Sequence, residues 1–130
     1  MTLYEVMQWL KTFDIFQYYY VGKINGQQQQ VLGVYARGEA GNPVHALGEP
    51  SKYQINGVKL LVHWNKDQQL TQNASNQLFS ALTDVTDVDF GDNHIYYVDL
   101  LNTEPVNVGT DANDICEYVI NIDIYSRRRM

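Results

Sequence analysis

The stretch from Ile115 to Tyr125 constrains the fold more than any other part of the chain. Cys116, Tyr118, Ile120, Ile122 and Ile124 share one side of an extended backbone, and Glu117, Val119, Asn121, Asp123 and Tyr125 share the other. A strand with one long apolar side needs a sheet around it and a second layer over that side.

Two amphipathic segments can supply the layer. Thr2-Leu-Tyr-Glu5 has the form of a capping box, and Leu3, Val6, Met7 and Leu10 recur at helical spacing, which predicts a helix from about Thr2 to Phe13. Leu70, Ala74, Leu78, Phe79 and Leu82 mark one face of a second helix from about Lys66 to Thr83, with Asn65 as its cap. Between and after them lie further strand signals. Ile15 to Ile24 ends at Asn25-Gly26 and predicts an antiparallel hairpin with Val31 to Ala36. Val58 to Trp64 reads as a strand paired with Tyr53 to Ile55 across Asn56-Gly57, and Val85 to Phe90 and His94 to Leu101 flank Gly91-Asp92-Asn93 as another hairpin. The order helix, strands, helix, strands predicts an α+β fold, an antiparallel or mixed sheet with two helices packed on one face. No repeat or linker divides it, so residues 1–130 are expected to form a single domain.

Charge excludes one class of function. Residues 84–123 carry ten carboxylates and no lysine or arginine, which repels polyanions and argues against binding nucleic acid by phosphate neutralisation. Arg127, Arg128 and Arg129 read as an exposed solubilising tail. The chain has no run of eighteen apolar residues, and its first residues do not resemble an export signal, so a membrane location is not expected.

Catalytic and metal signals are weak. Asp111-Ala-Asn113-Asp114 begins like a calcium loop, but the sixth position is Cys116 rather than glycine and the twelfth is Ile122 rather than glutamate. The residues fit a polar turn in which Asp and Asn bond their own backbone. Cys116 lies on the apolar side of its strand, where cysteine is usually a small buried hydrophobe. With only His45, His63 and His94 beside that one cysteine, a Cys/His zinc site is a poor fit, and His63 and His94 read as surface or capping residues at strand ends. Asp84, Asp87, Asp89 and Asp92 read as an acidic surface. No catalytic residue, cofactor site or metal site is assigned.

Tyrosines suggest a contact surface instead. Tyr18, Tyr19 and Tyr20 in succession must point to both faces of their strand, and Tyr96 and Tyr97 repeat the situation. Several tyrosines on one uncovered face, with Val119 and Tyr125, predict self-association. Arg37 to Ser51, with Gly41, Pro43, His45 and Pro50, has no periodicity and is expected to be a mobile docking loop.

The closing pattern Glu104-Pro-Val-Asn-Val-Gly109-Thr-Asp111 followed by Glu117-Tyr-Val-Ile-Asn-Ile-Asp-Ile-Tyr125, with Gly57-Val-Lys-Leu-Leu-Val-His-Trp64 as support, resembles the tail terminators of long non-contractile-tailed bacteriophages. These are often described as minor capsid proteins of phages and prophages of Gram-positive bacteria. The resemblance implies an α+β subunit without enzyme activity or cofactor. It forms a hexameric ring that caps the tail tube, ends tail polymerisation and meets the head connector, in the virion and, during assembly, in the host cytoplasm. Its partners would be itself, the tail tube protein and the connector proteins, with DNA only in passage. Carried onto this chain, Pro105, Gly109, Asp111, Asp114 and Glu117 join Tyr19, Tyr97, Val119 and Tyr125 as the expected interface. Six copies at −6 each would make a ring of −36, and Asp84, Asp87, Asp89 and Asp92 are expected to face its lumen, where phosphates gain nothing by sticking. A head-closure or neck protein of the same virion is the nearest alternative; a small ligand-binding or hydrolytic α+β domain is the alternative of a different class.

Overall fold

The computed structural model describes residues 1–37 and 53–128. Along the chain these form α1 (Leu3–Lys11), β1 (Tyr18–Val21), β2 (Val31–Ala36), β3 (Gln54–His63), α2 (Gln68–Thr83), β4 (Thr86–Phe90), β5 (Asn93–Leu100), β6 (Val106–Thr110) and β7 (Cys116–Arg128). The expected α+β architecture is present: one mixed sheet ordered β1-β2-β3-β7-β5-β4, with β6 also pairing β7.

β7 is the spine of the sheet. β3 runs along one of its edges from Gln54 opposite Ser126 to His63 opposite Glu117. The other edge is shared end to end by β5, opposite Arg128 to Ile122, and β6, opposite Val119 to Cys116. β5 and β6 are therefore one long strand interrupted at Leu101 to Pro105, and they fold back into β7 through the turn at Asp111 to Ile115. The alternation read from the sequence is the observed one: Tyr118, Ile120, Ile122 and Ile124 are buried with Val58, Leu60 and Val62 beneath Val6, Trp9 and Leu10 of α1 and Leu78 and Leu82 of α2. Each such side chain taken from water contributes about 1.5–3 kcal/mol, which makes this face the main source of stability.

The helix starts follow local chemistry. At α1 the capping box is complete: Thr2 Oγ1 accepts from the Glu5 N–H and Glu5 Oε1 accepts from the Thr2 N–H. α2 is capped by Asp67, which accepts from the Leu70 N–H, rather than by Asn65. Asn65 instead accepts the Asp67 N–H with its Oδ1 at 2.8 Å and forms the turn that precedes the cap.

Three expectations are corrected. β1 and β2 are parallel, Tyr18 opposite Val31 and Val21 opposite Val34, not an antiparallel hairpin. Tyr53 to Ile55 and Val58 to Trp64 are not separate hairpin arms; residues 54–63 form one continuous strand. Both expectations rested on Asn-Gly pairs, and the tight hairpin turn needs positive φ at both central residues. Among the described glycines only Gly22, Gly91 and Gly109 have positive φ, so neither Gly26 nor Gly57 makes that turn. Thirdly, Arg127 and Arg128 are exposed as expected but belong to β7, and Arg128 holds Glu5 through both guanidinium nitrogens at 3.2 Å, so neither is a free tail; Arg129 lies outside the described residues.

The parallel pairing has a packing cause. After β1 the chain turns at Gly22 and crosses the helix-free side of the sheet before starting β2. Ile24 then lies on Gly33, so close that a Cβ on Gly33 would sit 2.7 Å from Ile24 Cγ2 and 2.8 Å from Tyr35 Cε1. Gly33→Val is expected to lower stability by about 1–3 kcal/mol through overpacking, read as the shift of a urea midpoint; an unchanged midpoint would mean the crossing segment is not seated there.

Candidate functional site

With the helices on one side, the other side of the sheet is where outward-facing residues of β2, β3, β5 and β7 converge. Its two ends differ. At one end Tyr125 of β7 stacks on Tyr97 of β5, ring centroids 4.4 Å apart and planes within 12°, and Tyr53 meets the far side of Tyr125 at 6.1 Å. Tyr97 and Tyr53 are exposed, and the three rings line one depression with Thr86, Asp87 and Tyr96. Burial, with Tyr97 beside it and Asp123 and Asp99 near, pushes the Tyr125 phenol above its ordinary value, so it stays neutral at physiological pH. Next to the rings Arg37 reaches over Gly57 to pair with Asp123, which is buried.

At the other end stands the β6–β7 hairpin. Its turn is made by Asp111, whose Oδ1 accepts the N–H groups of Asn113 and Ile115 at 2.9 and 3.0 Å, with Asp114 in the left-handed region at φ +63°. That is the backbone-bonding turn expected from the sequence. All five residues of β6 are exposed. Behind the hairpin, His63 is wholly buried under the crossing segment. Its Nδ1 lies 2.8 Å from Glu117 Oε2 and 3.7 Å from Asp111 Oδ2, and its Nε2 lies 3.1 Å from the Gly26 carbonyl oxygen. Cys116 is buried, as expected, with Sγ 3.8 Å from the Lys66 carbonyl.

Other residues singled out in the sequence fall elsewhere. Tyr19 sits on edge strand β1, where it packs against the core and its hydroxyl accepts the Phe16 N–H. Pro105 is buried at the interruption before β6, Gly109 is exposed at the β6 bulge with φ +95°, and Val119 is buried. Gly41, Pro43, His45 and Pro50 lie outside the described residues.

Asp84, Asp87, Asp89 and Asp92 are all exposed around the α2 end and the β4–β5 hairpin. Two of them are clamped by His94, whose Nδ1 meets Asp89 at 2.6 Å and whose Nε2 meets Asp87 at 3.2 Å. Asp89 first and Asp87 second raise the His94 pKa above the ordinary histidine value. A raised value means stabilisation present in full below the unfolded pKa and lost as pH rises through the folded one. An NMR titration is expected to place His94 above about 6.5, and Asp89→Asn to bring it down; a normal or lowered value would contradict the clamp.

Sequence reasoning missed three participants. β6 is five residues long and broken by a bulge, too short for its alternation to register. Tyr53 becomes part of the ring stack only because β3 is continuous. His63 looked like a strand-end residue, yet its burial comes from a segment more than thirty residues away in sequence; its register opposite Glu117 was the available clue.

A family model described as bacteriophage tail terminator protein matches residues 4–125. No curated protein matches the chain.

Proposed function

The chain belongs to the bacteriophage tail terminator family, a structural protein of the phage tail, and from that premise we propose that it caps the tail tube, ends its polymerisation and forms part of the joint to the head. In this reading six copies close a ring in the virion, assembled in the host cytoplasm, with the tail tube protein below, connector proteins above and no chemical step catalysed.

The observation that carries the reading is β6. Its ladder with β7 uses one edge, its five exposed residues include Val106 and Val108 at 39% and 51% exposure, and no other described strand pairs its outer edge. An apolar strand edge of this kind is a liability in a lone molecule and an asset in an assembly, because a neighbour can add to it. The helix-free face with Tyr53, Tyr97 and Tyr125 extends the same contact toward the other end of β7. In the ring, the exposed aspartates 84, 87, 89 and 92 face the lumen, where DNA passes without gaining counterion release.

Phage deficient in this chain tests the proposal. Tails without it are expected to grow to irregular, excessive length, and the protein is expected on purified headless tails. Tails of normal length, with the protein found only on filled heads, would overturn the capping role in favour of a neck protein.

A further inference from the structure

His63 presents an accounting problem that the tail role does not use. Its two ring nitrogens face acceptors on both sides, the Gly26 carbonyl at 3.1 Å from Nε2 and Glu117 Oε2 at 2.8 Å from Nδ1. A neutral imidazole has one N–H. Spent on the carbonyl, which can only accept, it leaves the Nδ1 lone pair facing a carboxylate across a hydrogen-bond distance. Something positive has to lie between them.

A second carboxylate shares the position. Asp111 Oδ1 is occupied by the Asn113 and Ile115 N–H groups, and the turn thereby aims Oδ2 at the same nitrogen, 3.7 Å away. The ligand atoms of His63, Asp111 and Glu117 all lie within 4.8 Å of one another. Among the described residues neither carboxylate is within ion-pair distance of a lysine or arginine.

We propose that His63 Nδ1, Asp111 Oδ2 and Glu117 Oε2 bind a divalent transition-metal ion, with Zn²⁺ the best fit. In a tetrahedral site, bonds of about 2.0–2.2 Å put neighbouring ligand atoms about 3.3–3.6 Å apart, between the 2.8 and 3.7 Å observed from Nδ1. A proton would satisfy the Nδ1–Glu117 pair but leave the second Asp111 oxygen, Oδ2, beyond hydrogen-bond distance of it at 3.7 Å; a divalent ion balances both carboxylates. The imidazole donor favours zinc over magnesium or calcium, which prefer oxygen. The Gly26 carbonyl supplies the outer shell, accepting from Nε2 and so fixing the tautomer with Nδ1 free to ligate, while Asn113 Nδ2 donates to the same oxygen at 3.0 Å. Asp111 and Glu117 keep 21% and 17% of their side-chain surface exposed, which leaves an entry path and a coordination position for water. Bound there, the ion ties the end of β3, the crossing segment, the hairpin turn and the start of β7 into one unit.

The test uses the full chain, freed of metal by chelation and titrated with ZnCl₂ at pH 7 by calorimetry and thermal melting. One ion per chain and a raised melting temperature are expected. Asp111→Asn, which keeps the turn-forming Oδ1, and Glu117→Gln should each weaken binding by about tenfold or more, the least that a lost ligand costs. His94→Gln, which removes the other histidine flanked by two carboxylates, should leave binding unchanged. Absence of binding, with ring ¹⁵N signals showing a hydrogen on both nitrogens of His63, would mean that a proton alone holds the cluster and would overturn the proposal. So would binding that survives both carboxylate substitutions, since the ion would then sit elsewhere.

Discussion

Tyr97→Asp is expected to yield a folded monomer within about 2 kcal/mol of the wild type and to abolish productive tail capping. The monomer still folds because Tyr97 is 46% exposed and its partner ring, Tyr125, keeps Tyr53 on its other side; the loss is that of one stacked pair, about 0.5–1.5 kcal/mol. Assembly is not spared, because a central tyrosine at a protein contact is commonly worth about 2 kcal/mol or more. Within the monomer the introduced charge would lie beside Asp99 and Asp123, cross-strand neighbours on β5 and β7, a like-charge cost of a few tenths of a kcal/mol, roughly, that is separate from the loss at the contact. In the proposed ring of six the loss would recur at every contact, so about 2 kcal/mol each would multiply into about 12 kcal/mol. Val108→Asp, at the exposed outer strand, should act in the same direction through the other end of the face. The readouts are melting temperature, mass by native mass spectrometry in the presence of tail tubes, and infectious titre. Normal titre with Tyr97→Asp would remove the tyrosine stack from the interface; normal titre with both variants would remove the whole helix-free face.

That the face could be anticipated, while its detail could not, has a physical explanation. The period-two alternation of β7 and the capping box of α1 are local signals, each set by residues within one turn or one strand, and both stand as read. Which strand lies beside which is a different kind of information. Asn25-Gly26 and Asn56-Gly57 carry a strong local preference, and both were overruled by distant packing: Ile24 against Gly33 in one case, and the ten-residue ladder of β3 with β7 in the other. The same holds at the hairpin, where Asp111 was legible as a turn former from its neighbours. Its place beside His63 was not, because two separate long-range facts create it, the register of His63 with Glu117 and the passage of Gly26 overhead.

Glu5→Ala should cost about 2–3 kcal/mol at pH 7, and most of the reason is also long-range. One carboxylate serves three elements: Oε1 closes the α1 capping box, Oε2 accepts from Asn93 Nδ2 at 3.0 Å at the start of β5, and both oxygens meet Arg128 at the end of β7. The cap contributes about 1 kcal/mol. Asn93 is 2% exposed, so removing its acceptor adds the cost of a buried donor, about 1–2 kcal/mol. The Arg128 pair is more open to solvent and adds a few tenths, roughly. The Thr2 backbone N–H first, Asn93 second and the Arg128 charge after them hold the carboxyl down at about 2, well below its ordinary 4.5. A depressed folded pKa gives stabilisation that is complete above the unfolded value and disappears as pH falls through the folded one. The wild type should therefore lose its advantage over Glu5→Ala mainly between pH 4.5 and 3, by about 1–2 kcal/mol after allowance for solvent screening. Urea midpoints of the two proteins measured from pH 7 to pH 3 give the comparison directly. A gap that stays constant over that range would mean that Glu5 acts by packing alone and that its charge does not hold α1, β5 and β7 together.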